Sequence, residues 1–240
     1  MLGRFLEFSI AAPDIGASLE FYGRLGFSET AVGEAWNHPY AVLTDGRLYL
    51  GLHQDPGFAT SATFVKPGLL HHLDRLENLG LKLEFRRLGN DVFNEVGWFD
   101  PSGHLVRLVE ARTFSPSKRA TKDTSLCGYF REIALPAPSI DAAKFHWESL
   151  GFVGLDETDA ALPHVSCTSD TIDIGLYEPA HFAQPALLFE VEDLKETLGR
   201  LKAGGVAANG RVPAPLRNLP AAGLTAPEGT VIILACAQGG

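Results

Sequence analysis

The chain contains two copies of one sequence pattern, and this duplication limits what it can fold into. Residues 6–27 return 125 positions later as residues 131–152, so that Leu25-Gly26-Phe27 is matched by Leu150-Gly151-Phe152. The same spacing relates positions further along the two halves. Whole domains are therefore repeated, rather than one short motif.

The length of the chain fits two domains. At 240 residues, each half is long enough to bury a core of its own. A polar stretch separates the two copies, and a solvated linker is the better interpretation of its few basic residues. We expect a first domain at 1–113, a linker at 114–125 and a second domain at 126–240.

Composition and charge exclude several classes of protein. Apolar residues make up 45% of the chain and charged residues 20%, as in globular proteins, and no stretch has the apolar length of a membrane helix. The N-terminus does not resemble a signal peptide, and the three cysteines form no Cys-x-x-Cys pair. The net charge is -9, without the clustered basic residues that bind nucleic acid. We expect a cytoplasmic protein that binds neither membranes nor nucleic acids.

Apolar spacing and turn residues divide each half into strands and helices. Strand-like alternation over 4–10 is followed by an amphipathic helix from Pro13 to Leu25, with Asp14 as the predicted N-cap. Three strand patterns come next, and the order then recurs within the half, which gives βαβββ twice. The second half repeats this order except at 205–228, where four prolines require any strand to be short, irregular or at a sheet edge.

Two motifs connect this order of elements with a known family. Phe21-Tyr22-x-x-Leu25-Gly26-Phe27 spans the end of the first helix, and Asp100-Pro101-Ser102-Gly103 precedes the last strand of the first half. With these motifs and four βαβββ units, the chain resembles the vicinal oxygen chelate superfamily, which includes glyoxalase I, bleomycin resistance proteins and extradiol dioxygenases. The resemblance implies an α+β fold of two tandem domains, each of two βαβββ units forming an open, cup-shaped, eight-stranded sheet. It also implies a divalent metal in the cup.

The positions at which the family holds its metal carry few possible ligands in this chain. In the first domain the resemblance places them at Glu7, Gly51, Ser61 and Arg107. In the second domain it places them at Glu132, Gly175, Ala186 and Ile233. An arginine has no lone pair to offer, and a single carboxylate does not hold a catalytic divalent ion tightly. We therefore predict no metal site and no cofactor in either cup.

The partners of Glu7 and Glu132 decide what each cup can do, because a buried carboxylate costs free energy unless something compensates it. Glu7 and Arg107 point into one cup, and we predict an ion pair between them. This pair is either structural, or it leaves Arg107 to bind an anionic or carbonyl-bearing ligand. Glu132 is either exposed, as a lone Glu commonly is, or paired with a residue such as His164 or Arg217, or held neutral as an acid or base.

Several other side chains are candidates for the walls of the cups. His53 and Tyr177 end equivalent strands, Trp36 lies near the turn after the second strand, and Trp98 precedes a turn. Each of them fits ordinary core packing as well. The predicted ligand-binding residues are Arg107, Ser9, Tyr49, His53, Trp98, Trp36 and Tyr177.

Three kinds of function remain open. The first is a metal-independent protein that binds a small molecule in the cup near Glu7 and Arg107. The second is an enzyme with Glu7 and Glu132 as the candidate catalytic residues. It is either metal-free, with one of these two as acid or base, or a glyoxalase-like lyase or dioxygenase that acts on a small carbonyl or aromatic compound through a metal held by other ligands. The third is an interaction module whose cups are filled by side chains. The expected partner is a small molecule, and the pseudo-symmetric body is compatible with a homodimer.

Overall fold

The structure is a computed structural model, and it describes residues 2–30, 36–89, 94–110 and 125–236. The predicted linker at 114–125 lies almost entirely outside the described residues. The predicted domain boundaries therefore stay a prediction.

The described residues of the first half form eight strands and two short helices. A single 3-10 turn, Leu69–His72, leads into the second helix. The elements are β1 (Arg4–Ala11), α1 (Ile15–Arg24), β2 (Ser28–Thr30), β3 (Tyr40–Thr44), β4 (Tyr49–His53), β5 (Ser61–Val65), α2 (Leu73–Asn78), β6 (Leu83–Arg87), β7 (Glu95–Phe99) and β8 (Leu105–Val109).

The second half repeats this order within its described residues, with one strand fewer. A 3-10 turn, Ala214–Asn218, precedes its sixth strand. The elements are β9 (Tyr129–Pro136), α3 (Ile140–Ser149), β10 (Val153–Glu157), β11 (His164–Thr168), β12 (Asp173–Tyr177), β13 (Ala186–Val191), α4 (Leu194–Ala203), β14 (Ala221–Thr225) and β15 (Val231–Cys236).

Each half forms one mixed sheet in which two βαβββ units meet at the centre. The strand order is β2-β3-β4-β1-β5-β8-β7-β6 in the first sheet and β10-β11-β12-β9-β13-β15-β14 in the second. The central strand β1 is parallel to β4 and antiparallel to β5, and β9 pairs with β12 and β13 in the same two ways. This topology confirms the predicted α+β fold of tandem βαβββ units.

The second sheet has seven strands among the described residues, where eight were expected. The missing strand falls in the proline-rich segment, since proline cannot donate to a strand ladder and the segment contains Pro213, Pro215 and Pro220. One isolated bridge remains beside the edge strand β14, where the Gly210 amide donates to the Gly223 carbonyl at 2.8 Å.

The two faces of each sheet have different partners because side chains alternate along a strand. On β1, Glu7 and Ser9 point to one face, called the cup face below, while Phe8 and Ile10 point to the other and pack in the core. That core is continuous through both halves and includes Tyr22 of α1 as well as residues of the second sheet. The halves are therefore joined by a shared apolar core. None of the helices in the described ranges is long and apolar enough to cross a membrane.

Candidate functional site

Glu7 lies on the cup face of β1 with its carboxylate over the neighbouring strand β4. The residue is 2% exposed, and its Oε1 accepts hydrogen bonds from the Ser9 hydroxyl at 2.7 Å and from His53 Nε2 at 2.8 Å. This position is open because residue 51 is a glycine. A Cβ at Gly51 would lie 2.2 to 2.6 Å from the carboxylate atoms of Glu7. The glycine at a family ligand position thus provides the space in which the carboxylate lies.

Three hydroxyl groups connect Glu7 to Arg107. Ser9 Oγ lies 2.7 Å from Thr63 Oγ1, Thr63 Oγ1 lies 3.3 Å from Ser61 Oγ, and Arg107 Nε donates to Ser61 Oγ at 3.1 Å. The predicted direct ion pair between Glu7 and Arg107 is wrong. Glu7 turns towards β4 and Arg107 turns towards β7, so the two heads bond to different partners on opposite sides of β5.

Glu95 on β7 is the carboxylate partner of Arg107. Arg107 Nη1 lies 3.4 Å from Glu95 Oε2, whereas Nη1 of the exposed Arg87 lies only 2.7 Å from Glu95 Oε1. Burial lowers the pKa of the Arg107 guanidinium, and the charge of Glu95 partly offsets this effect. The guanidinium carbon also lies 4.5 Å from the ring centre of Phe58 and 4.9 Å from that of Phe85. Arg107 is therefore held between aromatic rings, with a long contact to its carboxylate partner.

Two histidines extend the hydrogen-bonded network away from Glu7. His38 Nε2 lies 2.9 Å from His53 Nδ1, and the other ring nitrogen of His53 bonds to Glu7. His53 is fully buried and stacks on Phe58 with ring centres 3.9 Å apart, whereas the His38 side chain is 19% exposed. Burial lowers the pKa of His38, and the neighbouring His53 lowers it further. A continuous line of hydrogen bonds thus runs from a partly exposed imidazole to a buried carboxylate.

The second cup surrounds Glu132 with a different set of donors. Tyr177 Oη donates to Glu132 Oε1 at 2.5 Å, Ser166 Oγ donates to Oε2 at 3.1 Å, and His164 Nε2 lies 3.3 Å from Oε1. The expectation that Glu132 is exposed is wrong, because these groups enclose it, and the alternative pairing with His164 is confirmed. Gly175 again provides the space, since a Cβ there would lie 2.3 Å from the carboxylate.

The titration of His164 and Tyr177 reflects this enclosure. Burial alone would lower the pKa of His164, but the hydrogen bond to Glu132 and its negative charge outweigh burial and raise that pKa. The other ring nitrogen faces the Leu162 carbonyl at 2.8 Å, so both nitrogens have acceptors, as the protonated ring requires. Burial and the charge of Glu132 raise the pKa of Tyr177. The phenol therefore stays a hydrogen-bond donor.

Apolar side chains fill the rest of the second cup. Ile233 of β15 occupies the position that Arg107 occupies in β8, and it is 1% exposed. The 3-10 turn that contains Leu216 packs into the same cluster. The buried members of this cluster are Ala134, Leu162, Tyr177, Phe182, Ala186, Leu216 and Ile233.

The structure brings most of the predicted wall residues to the first cup. The ring centre of Trp36 lies 5.0 Å from that of His53, and Tyr49 shares the cup face of β4 with His53 because the two are an even number of residues apart. Trp98 is the exception. Its side chain points away from the cup into the shared core, where Nε1 donates to His146 Nε2 on α3 at 3.4 Å. The prediction that Trp98 lines the cup is therefore wrong.

The sequence reasoning missed four residues that build the first cup, and only one of them carried a usable signal. That residue is Glu95, a charged residue in the otherwise apolar strand β7. Because side chains alternate along a strand, Glu95 points to the cup face while Trp98, three residues later, points to the other face. The others, which resemble ordinary strand or loop residues, are Thr63, Phe58 and Phe85.

The donor set does not fit a metal ion at the family's position. The place of a last-strand ligand is taken by the Arg107 cation, and the fourth-strand place is Gly51. In the part of the chain that the structure describes, no group of three or more His, Cys, Asp or Glu side chains could hold a metal. Two histidines and a carboxylate do lie near one another, at His38, His53 and Glu7, but the atoms that face each other are already hydrogen-bonded.

Comparison with known proteins gives structural matches only. No protein-family model matches the chain, and no curated protein matches its sequence. A crystal structure of catechol 2,3-dioxygenase superposes with a TM-score of 0.59 at 15% identity, covering 98% of this chain and 93% of that one. The 2,3-dioxygenase LapB from Pseudomonas sp. KL28 superposes at 0.63 and 16%, covering 98% and 92%. Homoprotocatechuate 2,3-dioxygenase from Arthrobacter globiformis gives 0.63 and 17%, covering 98% and 80%.

The chain has the vicinal oxygen chelate fold. At these sequence identities the structural likeness establishes the fold alone. The superpositions cover 98% of the chain and therefore include both sheets. The predicted resemblance is therefore confirmed for the fold.

The prediction that the chain uses no metal cofactor is corrected by the same comparison. The structural neighbours are extradiol dioxygenases, which depend on iron or manganese. That metal dependence is a property of the matching dioxygenases, and the described side chains of this chain do not assemble the same site.

Proposed function

We propose that the chain binds a small, flat molecule bearing a carboxylate or carbonyl oxygen in its first cup, with Arg107 as the anchoring residue. The observation that carries this proposal is the setting of the guanidinium. It lies between aromatic rings, and its contact to Glu95 is long at 3.4 Å. A planar guanidinium in such a place suits bidentate binding of planar oxygen groups.

Arg107 can exchange its contact with Glu95 for a ligand oxygen because the Glu95 carboxylate has a second cationic partner. Arg87 holds the other oxygen of Glu95 at 2.7 Å. If a ligand takes the guanidinium of Arg107, Glu95 keeps a cation and is not left uncompensated. The cost of losing one partner of a buried pair is therefore reduced.

The rings beside Arg107 favour a flat ligand. Phe58 and Phe85 lie close to the guanidinium, and the ring centre of Trp36 is 6.0 Å from its central carbon. Aromatic walls with one charged group are typical of small-molecule sites. The second cup has Ile233 in place of Arg107 and an apolar filling, so we assign it a structural role.

Benzoate tests this proposal because it is a flat ring with a single carboxylate. We expect saturable binding to the wild-type chain by isothermal titration calorimetry. Arg107→Met keeps the apolar stem of the side chain. It should weaken benzoate binding about tenfold or more, because a hydrogen bond to a charged group is lost. Arg86→Met, which removes an exposed arginine of β6, is the matched control and should leave the affinity unchanged. Equal binding by wild type and Arg107→Met would rule out the anchor.

An enzyme of the dioxygenase type is a second candidate, and a separate observation favours it. His38, His53 and Glu7 form a line of hydrogen bonds of 2.9 and 2.8 Å that ends at Glu7, in the same cup as Arg107. Such a line can move a proton to or from a ligand, with Glu7 as acid or base. The matching structures are named as catechol and homoprotocatechuate dioxygenases.

Oxygen uptake with catechol as the substrate tests this candidate, in buffer supplied with Fe(II) or Mn(II). We expect Glu7→Gln to lower the turnover about a hundredfold or more, as removal of an acid or base does. Glu132→Gln, the equivalent change in the second cup, is the matched control and should retain the turnover. If the wild-type chain binds benzoate but takes up no oxygen, the binding function stands and the enzymatic candidate fails.

A further inference from the structure

The second sheet ends in an edge strand, β10, that carries exposed apolar side chains. Among the described residues β10 pairs with β11 alone, so one row of its backbone N–H and C=O groups has no strand beside it. Val153 is 60% exposed and Leu155 is 47% exposed. Both point to the cup face, because Leu155 lies opposite Ser166, which bonds to Glu132 on that face. An exposed apolar edge of this kind pairs readily with another strand.

The other sheet edges are built differently. The equivalent strand of the first sheet, β2, has only the three residues Ser28-Glu29-Thr30, and none of them is apolar. The first sheet also ends in β6, which carries two arginines and a glutamate. In the second sheet, Gly210 bridges part of the outer strand β14. Short length, charge and coverage all protect a sheet edge from pairing, and β10 has the least of this protection.

The face of β10 that is turned towards α3 carries a pair of opposite charges. α3 runs back along β10 after a tight turn, so Lys144 lies towards Asp156 and Glu148 lies towards Phe152. Lys144 Nζ donates to both oxygens of Asp156, at 2.9 and 3.0 Å. Both helix side chains lie over Gly154, since a Cβ there would be 2.7 Å from Lys144 Cε and 2.8 Å from Glu148 Oε1. Gly154 therefore lies between a positive and a negative charge.

We propose that β10 pairs with β10 of a second copy of this chain, antiparallel and about a two-fold axis at Gly154. This register places Val153 of each copy opposite Leu155 of the other, so that four exposed apolar side chains pack together. The axis also reverses α3 of the second copy, which brings Lys144 of each copy to Glu148 of the other. A self-complementary edge favours a second copy over an unrelated strand. The dimer does not depend on the function proposed for the first cup.

Neighbouring registers are less favourable. Residues directly opposite each other point to the same face, so the axis lies at a residue rather than between two. An axis at Leu155 sets apolar Val153 against Glu157. An axis at Asp156 sets two carboxylates against each other, and an axis at Val153 would need Gly151, which lies outside the strand. Because few apolar side chains are buried, we expect a reversible dimer rather than an obligate one.

Sedimentation velocity at about 1 to 200 μM tests the dimer, since a small interface gives a weak association. We expect wild type to approach the dimer mass as the concentration rises. Leu155→Lys should weaken dimerisation about tenfold or more, because a charge at an edge opposes pairing. Leu70→Lys, at a residue of the first half that is 51% exposed, is the matched control and should dimerise like wild type. A wild-type monomer throughout the range overturns the proposal, and so does unchanged dimerisation of Leu155→Lys.

Two charge variants test the contact between the helices. Glu148→Lys gives a copy with two positive charges beside Gly154, and Lys144→Glu gives a copy with two negative ones. Each variant alone should dimerise about tenfold or more weakly than wild type, because like charges meet across the axis. An equimolar mixture should form a heterodimer with an affinity close to that of wild type, because opposite charges meet again. A mixture that associates no better than either variant alone overturns the proposal.

Discussion

Tyr177 occupies in the second cup the place that His53 occupies in the first. Each is the last residue of its strand, β12 or β4, and each donates a hydrogen bond to the glutamate of the adjacent central strand. His53 Nε2 lies 2.8 Å from Glu7 Oε1, and Tyr177 Oη lies 2.5 Å from Glu132 Oε1. The geometry around the buried carboxylate is therefore retained while the donor has changed.

One of the rings that stack on the donor is exchanged in the opposite sense. Tyr40 stacks on His53 with an interplanar angle of 8°, and His164 stacks on Tyr177 with an angle of 12°. In each cup the ring that donates to the glutamate thus stacks on a ring of the other kind, imidazole or phenol, and the two kinds are carried by swapped strands.

The glycines under the two carboxylates give the first prediction. Gly51→Ala or Gly175→Ala would place a methyl group within 2.6 Å of the glutamate carboxylate in its half. Overpacking of this kind costs about 1 to 3 kcal/mol. We expect each variant to lower the free energy of unfolding by that amount, measured by urea denaturation followed by circular dichroism.

Gly199→Ala is the matched control for these two variants. A Cβ at Gly199 meets nothing within 4 Å, and the residue lies inside α4, where alanine is favoured over glycine by about 0.5 to 1 kcal/mol. This variant should be more stable than wild type. Wild-type stability in Gly51→Ala would contradict the position assigned to the Glu7 carboxylate.

The phenol of Tyr177 gives the second prediction. Tyr177→Phe keeps the ring but removes a donor to Glu132, which is buried. Leaving a buried carboxylate one hydrogen bond short should cost about 1 to 3 kcal/mol of unfolding free energy, measured by the same denaturation. Tyr129→Phe, at a residue that is 42% exposed, should change the stability by much less. Equal losses in the two variants would argue against the assigned role of Tyr177.

The sequence predicted the parts of the fold that depend on repetition and alternation. The 125-residue spacing and the apolar patterns were enough for the βαβββ order, and the same alignment placed Gly51 and Gly175 beside the two glutamates. It could not predict which way a carboxylate turns within a cup. Glu7 turns towards His53, because an imidazole is in reach on β4, and so it misses Arg107.

The sequence also could not predict side-chain contacts between residues of different strands. Glu95 and Arg107 are brought together only by the pairing of β7 with β8, and Trp98 leaves the cup because it is an odd number of residues from Glu95. Closure of the second cup depends on how the proline-rich turn with Leu216 packs, which no local pattern specifies. These features follow from tertiary structure and were therefore not readable from single residues.

The raised pKa of His164 gives a prediction on pH. Because the folded pKa lies above the unfolded value of about 6.5, the protonated ring stabilises the folded chain. This contribution is fully present below pH 6.5 and is lost as the pH rises through the folded pKa. We expect the stability difference between wild type and His164→Gln to shrink with rising pH, by at most about 1.4 kcal/mol per pH unit. Urea denaturation between pH 5 and 9 measures it.

His71→Gln is the control for His164, because His71 is an exposed residue of the first half. The difference between this variant and wild type should change little over the same range. A difference for His164→Gln that grows with rising pH would contradict the pairing with Glu132.

His146 should respond to pH in the opposite direction. Burial lowers its pKa, and the charge of Asp100 offsets only part of that effect. The neutral ring accepts from Trp98 Nε1 across the interface between the halves, and protonation removes this acceptor. Since the folded pKa lies below the unfolded value of about 6.5, stability is lost as the pH falls from 6.5 towards the folded pKa.

His146→Gln keeps an acceptor but does not titrate, so it should remove part of this acid sensitivity. Relative to wild type, the variant should gain stability as the pH falls below 6.5, by at most about 1.4 kcal/mol per pH unit. Tryptophan fluorescence during urea denaturation at pH 4.5 to 7.5 measures the change, because Trp98 is the donor and is buried. An unchanged difference across this range would show that the contact between Trp98 and His146 does not depend on the charge of the imidazole. We expect the stability difference from wild type to change with pH in opposite directions for His146→Gln and His164→Gln. That result would locate the acid-sensitive contact at the interface and the base-sensitive contact in the second cup.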